Sequence, residues 1–344
     1  MKALVLTEHG PPEVLQLLDR PDPRPGPDEV AVAVRCAGVN FADVLARLGL
    51  YPDAPPPPCI IGYEFSGEIV EAGASVTRFG VGDQVMGACR FGGYSEVVCT
   101  AAAEVQPLPD GWTHAEGTAL PGNYTTAYAA LVRYGSIRAG ERLLVHSAGG
   151  GVGIAAAQIG LASGAEVVGI ASGWKHDALL SMGLTRVVDS RSDDLVGELR
   201  AMFGQEEPFD LVLDTLGGQS PLRSYSLMRA GGRLVCVGSA DLVAGERRDS
   251  ARVREMVRST ARFSAQRLML ESKSVIGLNL LRLGDVLGST AEYLRELQPW
   301  IGSGSIRPVI AAAYPLAEGA AAHRFLQERR NLGKVVLSVT DGTE

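Results

Sequence analysis

Between the apolar residues Leu143, Leu144 and Val145 and the alanine-rich run that starts at Ile154, the chain carries Gly149, Gly150, Gly151 and Gly153 in the stretch LLVHSAGGGVGIAAAQIG. This pattern reads as a strand, a tight turn and a helix, because glycines there let the backbone turn sharply and come close to a ligand. The helix that begins at the turn offers free N–H donors and the positive end of its dipole, which suits a pyrophosphate. The spacing departs from a strict G-x-G-x-x-G, so the surroundings must carry the reading. Four further strand-like runs, AEVVGIAS, RVVDS, FDLVLDTLG and GRLVCVGS, alternate with segments rich in Ala, Leu and Met. Parallel strands can be joined only by crossovers, so the alternation predicts right-handed βαβ units around a parallel sheet. A doubly wound Rossmann unit is expected, with Gly149, Gly150, Gly151, Val152 and Gly153 against the pyrophosphate of a dinucleotide.

The end of the second strand usually carries an acid that bonds the ribose 2′-hydroxyl. Here it runs into Ser172, Gly173, Trp174 and Lys175, a hydroxyl and a cation where a 2′-phosphate would lie. A hydrogen bond to a charged group contributes roughly 1.5–3 kcal/mol, so Lys175 alone can give about a ten- to hundredfold preference for NADPH. The competing reading is a solvated lysine in the first turn of a helix.

Through about residue 120 the chain instead shows short β runs (MKALVLTE, EVAVAVRCAGV, EFSGEIVEAG, GDQVMGAC, YSEVVCT) between Gly and Pro turns, and Pro55 to Pro58 form a rigid loop. A helical pattern spans Trp112 to Arg138. After Gly277 a helix from Asp285 to Trp300 is expected, then strands VIAAAYPL and KVVLSV with a helix between them. This tail is expected to rejoin the first domain, giving one domain of residues 1–121 and 305–344 and a second of 122–304. At 344 residues two cores are the usual solution. The net charge of −7 and pI near 5.4 argue against a nucleic-acid partner. Cys36, Cys59, Cys89, Cys99 and Cys236 form no C-x-x-C pair and read as reduced structural thiols. No charged leader precedes the first strand and no apolar run reaches membrane-span length, so a cytoplasmic protein is expected.

With these motifs in order (GVNFAD from Gly38 to Asp43, GYEFSGEIVEAG from Gly62 to Gly73, LPGNYTTAYAAL from Leu120 to Leu131, the glycine turn, FDLVLDTLGG, and NLGKVVL from Asn331 to Leu337) the chain resembles the zinc-free medium-chain dehydrogenases/reductases. The resemblance is to the quinone oxidoreductase branch, and more closely to its vesicle-amine-transport-protein-like members. It implies an α/β protein with a GroES-like β-rich catalytic domain, a Rossmann doubly wound parallel-sheet domain, and a homodimer joined through the last Rossmann strand, SVIGLNL. Zinc ligands of the alcohol dehydrogenase relatives fall where this chain has Asn40, Tyr63 and Gly122, and their four-cysteine loop has no counterpart after Val98. Amide, phenol and glycine do not replace thiolate or imidazole, so no metal is expected.

By the same matching Asn40 sits by the nicotinamide, Thr126 by the phosphates, and Ser172 with Lys175 on the 2′-phosphate. Gly238, Leu278 and Asn279 flank the adenosine and nicotinamide, and Lys334 approaches from the tail. A tyrosine usual in this branch is replaced by Ser190, for which Arg191 is the expected substitute.

A zinc-free cleft suits quinones and α,β-unsaturated carbonyls, which spread incoming charge over their own oxygen. Asn40 and Tyr51 are the expected donors to that oxygen, with Tyr63 and Asn123 behind them. Asp43 and Glu64 are read as structural, and His146 as a core histidine. The leading expectation is therefore an NADPH-dependent quinone or enone reductase. An enoyl-thioester reductase of a fatty acid or polyketide pathway and a non-catalytic NADPH-binding protein are the alternatives. Residues 246–271 hold seven arginines among apolar residues and read as a basic amphipathic helix. It would pack on its own domain, form a lid or dimer contact, or, least favoured, meet an anionic membrane surface.

Overall fold

The computed structural model describes residues 1–287 and 289–339. In chain order the strands are β1 (Lys2–Leu6), β2 (Leu15–Asp19), β3 (Glu29–Val39), β4 (Cys59–Ile60), β5 (Glu64–Ala72), β6 (Gln84–Ala88), β7 (Val97–Ala101), β8 (Val105–Pro107), β9 (Arg142–Val145), β10 (Glu166–Ala171), β11 (Arg186–Asp189), β12 (Phe209–Asp214), β13 (Met228–Cys236), β14 (Ser274–Gly277), β15 (Ile310–Pro315) and β16 (Lys334–Ser338).

The second half of the chain builds a six-stranded sheet in the order β11-β10-β9-β12-β13-β14, each neighbouring pair parallel. Leu143 and Val145 of β9 point into one core and Leu144 into the other, so the sheet is covered on both faces. The chain winds outward from β9 to β11, then returns to β12 on the other side of β9. The crevice at the carboxyl ends of β9 and β12 is where such sheets bind ligands. The glycine turn leaves β9 at this crevice and continues into the helix Gly151–Ala162.

The first half forms a second sheet, β15-β16-β3-β5-β6-β8, with β7 also paired to β3. β16 runs antiparallel to β3, Val335 opposite Val39, and parallel to β15. The tail therefore completes the sheet begun at the N-terminal end, and Val335 and Leu337 share a core with Val32, Phe65 and Ile69. A small sheet, β2-β1-β4, packs beside it.

Three segments differ from expectation. The helical connector runs from His114 to Tyr134, opened by a Thr113–Glu116 capping box, and widens to π turns over Leu120–Tyr124 and Ala129–Tyr134. The first π turn carries Gly122 and Asn123, and such irregular turns often mark functional positions. The helix expected over 285–300 is three short ones, Leu280–Leu287, Ala291–Glu296 and Gln298–Gly302. Ser289 accepts the Ala291 amide at 3.0 Å to start the second, and Pro299 sits in the first turn of the third. The arginine-rich segment is two helices, Ser250–Ser259 and Ala265–Glu271, each capped by its own side chain, Asp249 and Ser264. Between them Phe263 lies against Tyr225 at 5.1 Å and anchors the segment on its own sheet.

Because Leu337 is fully buried at the junction of tail and sheet, Leu337→Ala should lower unfolding free energy by about 2–5 kcal/mol. Leu17→Ala, at a position 39% exposed, should stay within about 0.5 kcal/mol, both read from denaturant midpoints.

Candidate active site

A cleft of about 1170 Å³ lies where the two sheets meet, larger than one small ligand fills. It is lined by Asn40, Tyr51, Tyr63, Asn123, Thr126, the turn Gly149 to Gly153, Ser172, Lys175, Ser190, Gly238, Leu278, Asn279 and Lys334, so the fold brings these expected residues together. Arg191 is not in that lining. Its side chain is exposed and its amide donates to Asp189 Oδ1 at 2.9 Å. A different cation takes the wall: Arg329, which follows the helix Gly319–Gln327 in a left-handed conformation and pairs with Asp241 at 3.5 Å. The Arg329-Arg330 pair just ahead of NLGKVVL was the available signal. Thr215, also missed, donates to Ser147 Oγ at 3.0 Å across the ends of β12 and β9.

At the end of the cleft nearest the glycine turn, the glycines are required by close approach. A Cβ on Gly149 would lie 2.5 Å from Lys175 Cδ, one on Gly151 2.1 Å from Asn123 Oδ1, and one on Gly153 2.2 Å from the Ser147 carbonyl. Lys175 is 6% exposed and has no carboxylate partner among the described residues. Its ammonium stands 5.1 Å from the Trp174 ring. Burial, with the nearby Arg329 charge adding, lowers its pKa to about 8. His146 is held in the core: its Nε2 meets Ser224 Oγ at 2.9 Å, and burial lowers its pKa against the opposing pull of Asp214.

The opposite end is organised around a buried ion pair. Glu64 is fully buried, and its Oε1 meets Lys334 Nζ at 2.6 Å. The ammonium also donates to the Val39 carbonyl at 2.7 Å and to Asn40 Oδ1 at 2.8 Å. Glu64 accepts from Asn40 Nδ2 at 2.5 Å and from the Gly122 amide at 2.6 Å. The carboxylate is packed so tightly that a Cβ on either Gly38 or Gly122 would lie 2.2 Å from one of its oxygens. Asn123 Nδ2 donates to Asn40 Oδ1 at 2.9 Å, while Asn123 Oδ1 is buried without a partner among the described residues.

Behind Asn40, Asp43 accepts the Asn40 amide at 2.8 Å and the Tyr94 hydroxyl at 3.0 Å, which ties down the start of the helix Phe41–Arg47. Burial raises the Asp43 carboxyl to about 7, and lowers His323, beyond Tyr94, to about 3. Burial raises Tyr51 to about 12, with Asp53 adding, and Tyr63 well above its ordinary value, so both phenols remain proton-bearing donors. At the mouth, Arg282 pairs with Asp53 at 2.5 Å and Arg90 with Asp285, linking the helix Leu280–Leu287 to loops of the other sheet.

No group of three or more His, Cys, Asp or Glu among the described residues is arranged to hold a metal ion. No helix among them is long and apolar enough to cross a membrane.

Comparison with known proteins places this architecture. The alcohol dehydrogenase GroES-like domain family matches residues 26–110 and the zinc-binding dehydrogenase family residues 182–337. The synaptic vesicle membrane protein VAT-1 homolog of Rattus norvegicus is 34% identical over 340 residues, covering 98% of this chain and 84% of that protein. Escherichia coli quinone oxidoreductase complexed with NADPH superposes with a TM-score of 0.85 at 27% identity, covering 98% of this chain and 100% of that one. CurK enoyl reductase gives 0.83 at 28% identity, covering 98% and 99%. On sequence, fold and cleft together, the chain belongs to the medium-chain dehydrogenase/reductase family of oxidoreductases, on the quinone oxidoreductase branch with the VAT-1-like proteins.

Proposed function

We propose that this protein is an NADPH-dependent reductase that transfers hydride to a quinone or an α,β-unsaturated carbonyl without zinc. The observation that carries the reading is Lys175, a nearly buried cation with no carboxylate partner, set beside the glycine turn with Arg329 close by. Burying a charge is costly unless a partner compensates it, and a 2′-phosphate would be that partner.

The residues fit the cofactor. The glycines pack so closely on Lys175, Asn123 and the Ser147 carbonyl that the turn takes no Cβ, and Asn123 Oδ1, without a partner among the described residues, offers an acceptor to a ligand donor. Gly149 to Gly153 and the start of the helix Gly151–Ala162 would hold the pyrophosphate, with Thr126 nearby. Ser172, Lys175, Ser190 and Arg329 would hold the 2′-phosphate, and Gly238, Leu278 and Asn279 the remaining walls. When bound, the nicotinamide supplies the hydride, which must lie about 3–3.5 Å from the acceptor atom. The chain's own part is to exclude water and to present N–H and O–H donors, Asn40 and Tyr51, to the oxygen that gains charge. Residues 122–304 form the cofactor-binding unit in this reading, and the protein works as a cytoplasmic homodimer through the edge strand β14.

The likeness to CurK enoyl reductase favours one second reading, an enoyl-thioester acceptor in the same cleft. Comparing an ortho-quinone, a simple enone and an enoyl thioester as acceptors for NADPH oxidation separates the two.

Lys175→Ala should reduce the NADPH-over-NADH ratio of kcat/KM by about ten- to hundredfold, and an unchanged ratio would refute the assignment. Lys175 loses its proton as pH rises through about 8, so NADPH affinity should fall between pH 7 and 9 while NADH affinity stays level. Titrating both cofactors across that range by fluorescence checks the sign.

A further inference from the structure

Resting on the reductase reading, we propose that Glu64 and Lys334 are positioning residues that fix which way the Asn40 carboxamide faces, so that the acceptor site meets an N–H donor and never the amide oxygen.

An asparagine amide can be rotated end for end at little cost unless its neighbours distinguish oxygen from nitrogen. Around Asn40 the two charged neighbours do so. Its Oδ1 faces two donors, Lys334 Nζ at 2.8 Å and Asn123 Nδ2 at 2.9 Å. Its Nδ2 faces a carboxylate, Glu64 Oε1 at 2.5 Å. A flipped amide would set nitrogen against the ammonium and oxygen against the carboxylate, leaving several buried groups unpaired. All three Lys334 donors are committed, to Val39, Asn40 and Glu64, so the ammonium has none left for a ligand.

Asn40 is 8% exposed and lines the cleft. One of its two N–H bonds goes to Glu64; the other has no partner among the described residues. That second N–H is what the network leaves for a carbonyl oxygen in the cleft. The site is thus built to recognise an acceptor oxygen that gains negative charge, and the fixed cation polarises the amide in the matching sense.

The arrangement reaches across the whole chain. Lys334 comes from the returning tail, Glu64 starts β5, Asn40 follows β3 at the cap of the helix Phe41–Arg47, and Asn123 sits in the π turn. Gly38 and Gly122 clear the space for the carboxylate.

The chain has four asparagines, Asn40, Asn123, Asn279 and Asn331, so the full protein labelled with 15N-asparagine gives four side-chain amide pairs. The Asn40 pair, assigned as the one lost in an Asn40→Ala variant, should appear as one set of signals with one proton moved downfield by its bond to the Glu64 carboxylate, as a single carboxamide orientation requires. Glu64→Gln should move that proton back toward the ordinary amide position and lower kcat by about 10- to 100-fold, with KM for NADPH within about twofold. In the Asn40→Ala background the same change should cost kcat nothing further. A wild-type Asn40 pair with neither proton moved downfield, or a doubled pair from two carboxamide orientations, would overturn the proposal. An equal kcat loss from Glu64→Gln with and without Asn40 would overturn it too. If the wild type turns over neither quinone nor enone, the reductase reading fails, while the amide spectrum still decides the positioning role.

Discussion

The return of β16 to the side of β3 is the constraint on which the cleft depends, because it carries the Lys334 ammonium into contact with Glu64, Asn40 and the Val39 carbonyl. A buried ion pair is not a stabilising device in itself, since removing two charges from water offsets much of their attraction. Losing one partner, however, typically costs about 3–5 kcal/mol, so the pair must be completed for the fold to tolerate either member. Here completion requires four distant parts of the chain to meet. The ion pair thereby ties the sheet, the tail and the helical connector to one geometry at the Asn40 end of the cleft.

The end of the cleft at the glycine turn follows the opposite electrostatic rule. Among the described residues Lys175 is buried without a carboxylate partner, and Arg329 pairs with the partly exposed Asp241. One end of the cleft is therefore internally neutralised, and the other carries positive charge for a ligand to neutralise. A dinucleotide laid along the cleft would match that polarity, with its phosphates toward Lys175 and its reactive ring toward Asn40. The Arg282–Asp53 and Arg90–Asp285 pairs cross the mouth and help hold the two halves together.

Much of this could be read from the sequence because its signals are local. Leu143, Leu144 and Val145 followed by the glycines define a strand and a turn whatever the rest of the chain does. Lys175 was visible because its position is counted from that strand. The failures are nonlocal or depend on caps. The arginine-rich segment reads as one helix by periodicity, yet Ser264 starts a second one after Phe263 has docked on Tyr225. Arg191 was chosen for its nearness in sequence to Ser190, whereas the cleft takes Arg329 from 139 residues further along, a placement set by β16 pairing with β3. The structural reading of Glu64 agrees with its burial, but its partner Lys334, 270 residues away, could not have been read from periodicity.

The central claim is direct hydride transfer within this cleft, and it is tested most directly by one turnover with NADPH carrying deuterium on its transferable C4 position and an enone as acceptor. The account predicts one deuterium at the β-carbon of the reduced product, read by mass spectrometry. Unlabelled product, or recovery of unreacted enone with NADPH bound, would contradict it.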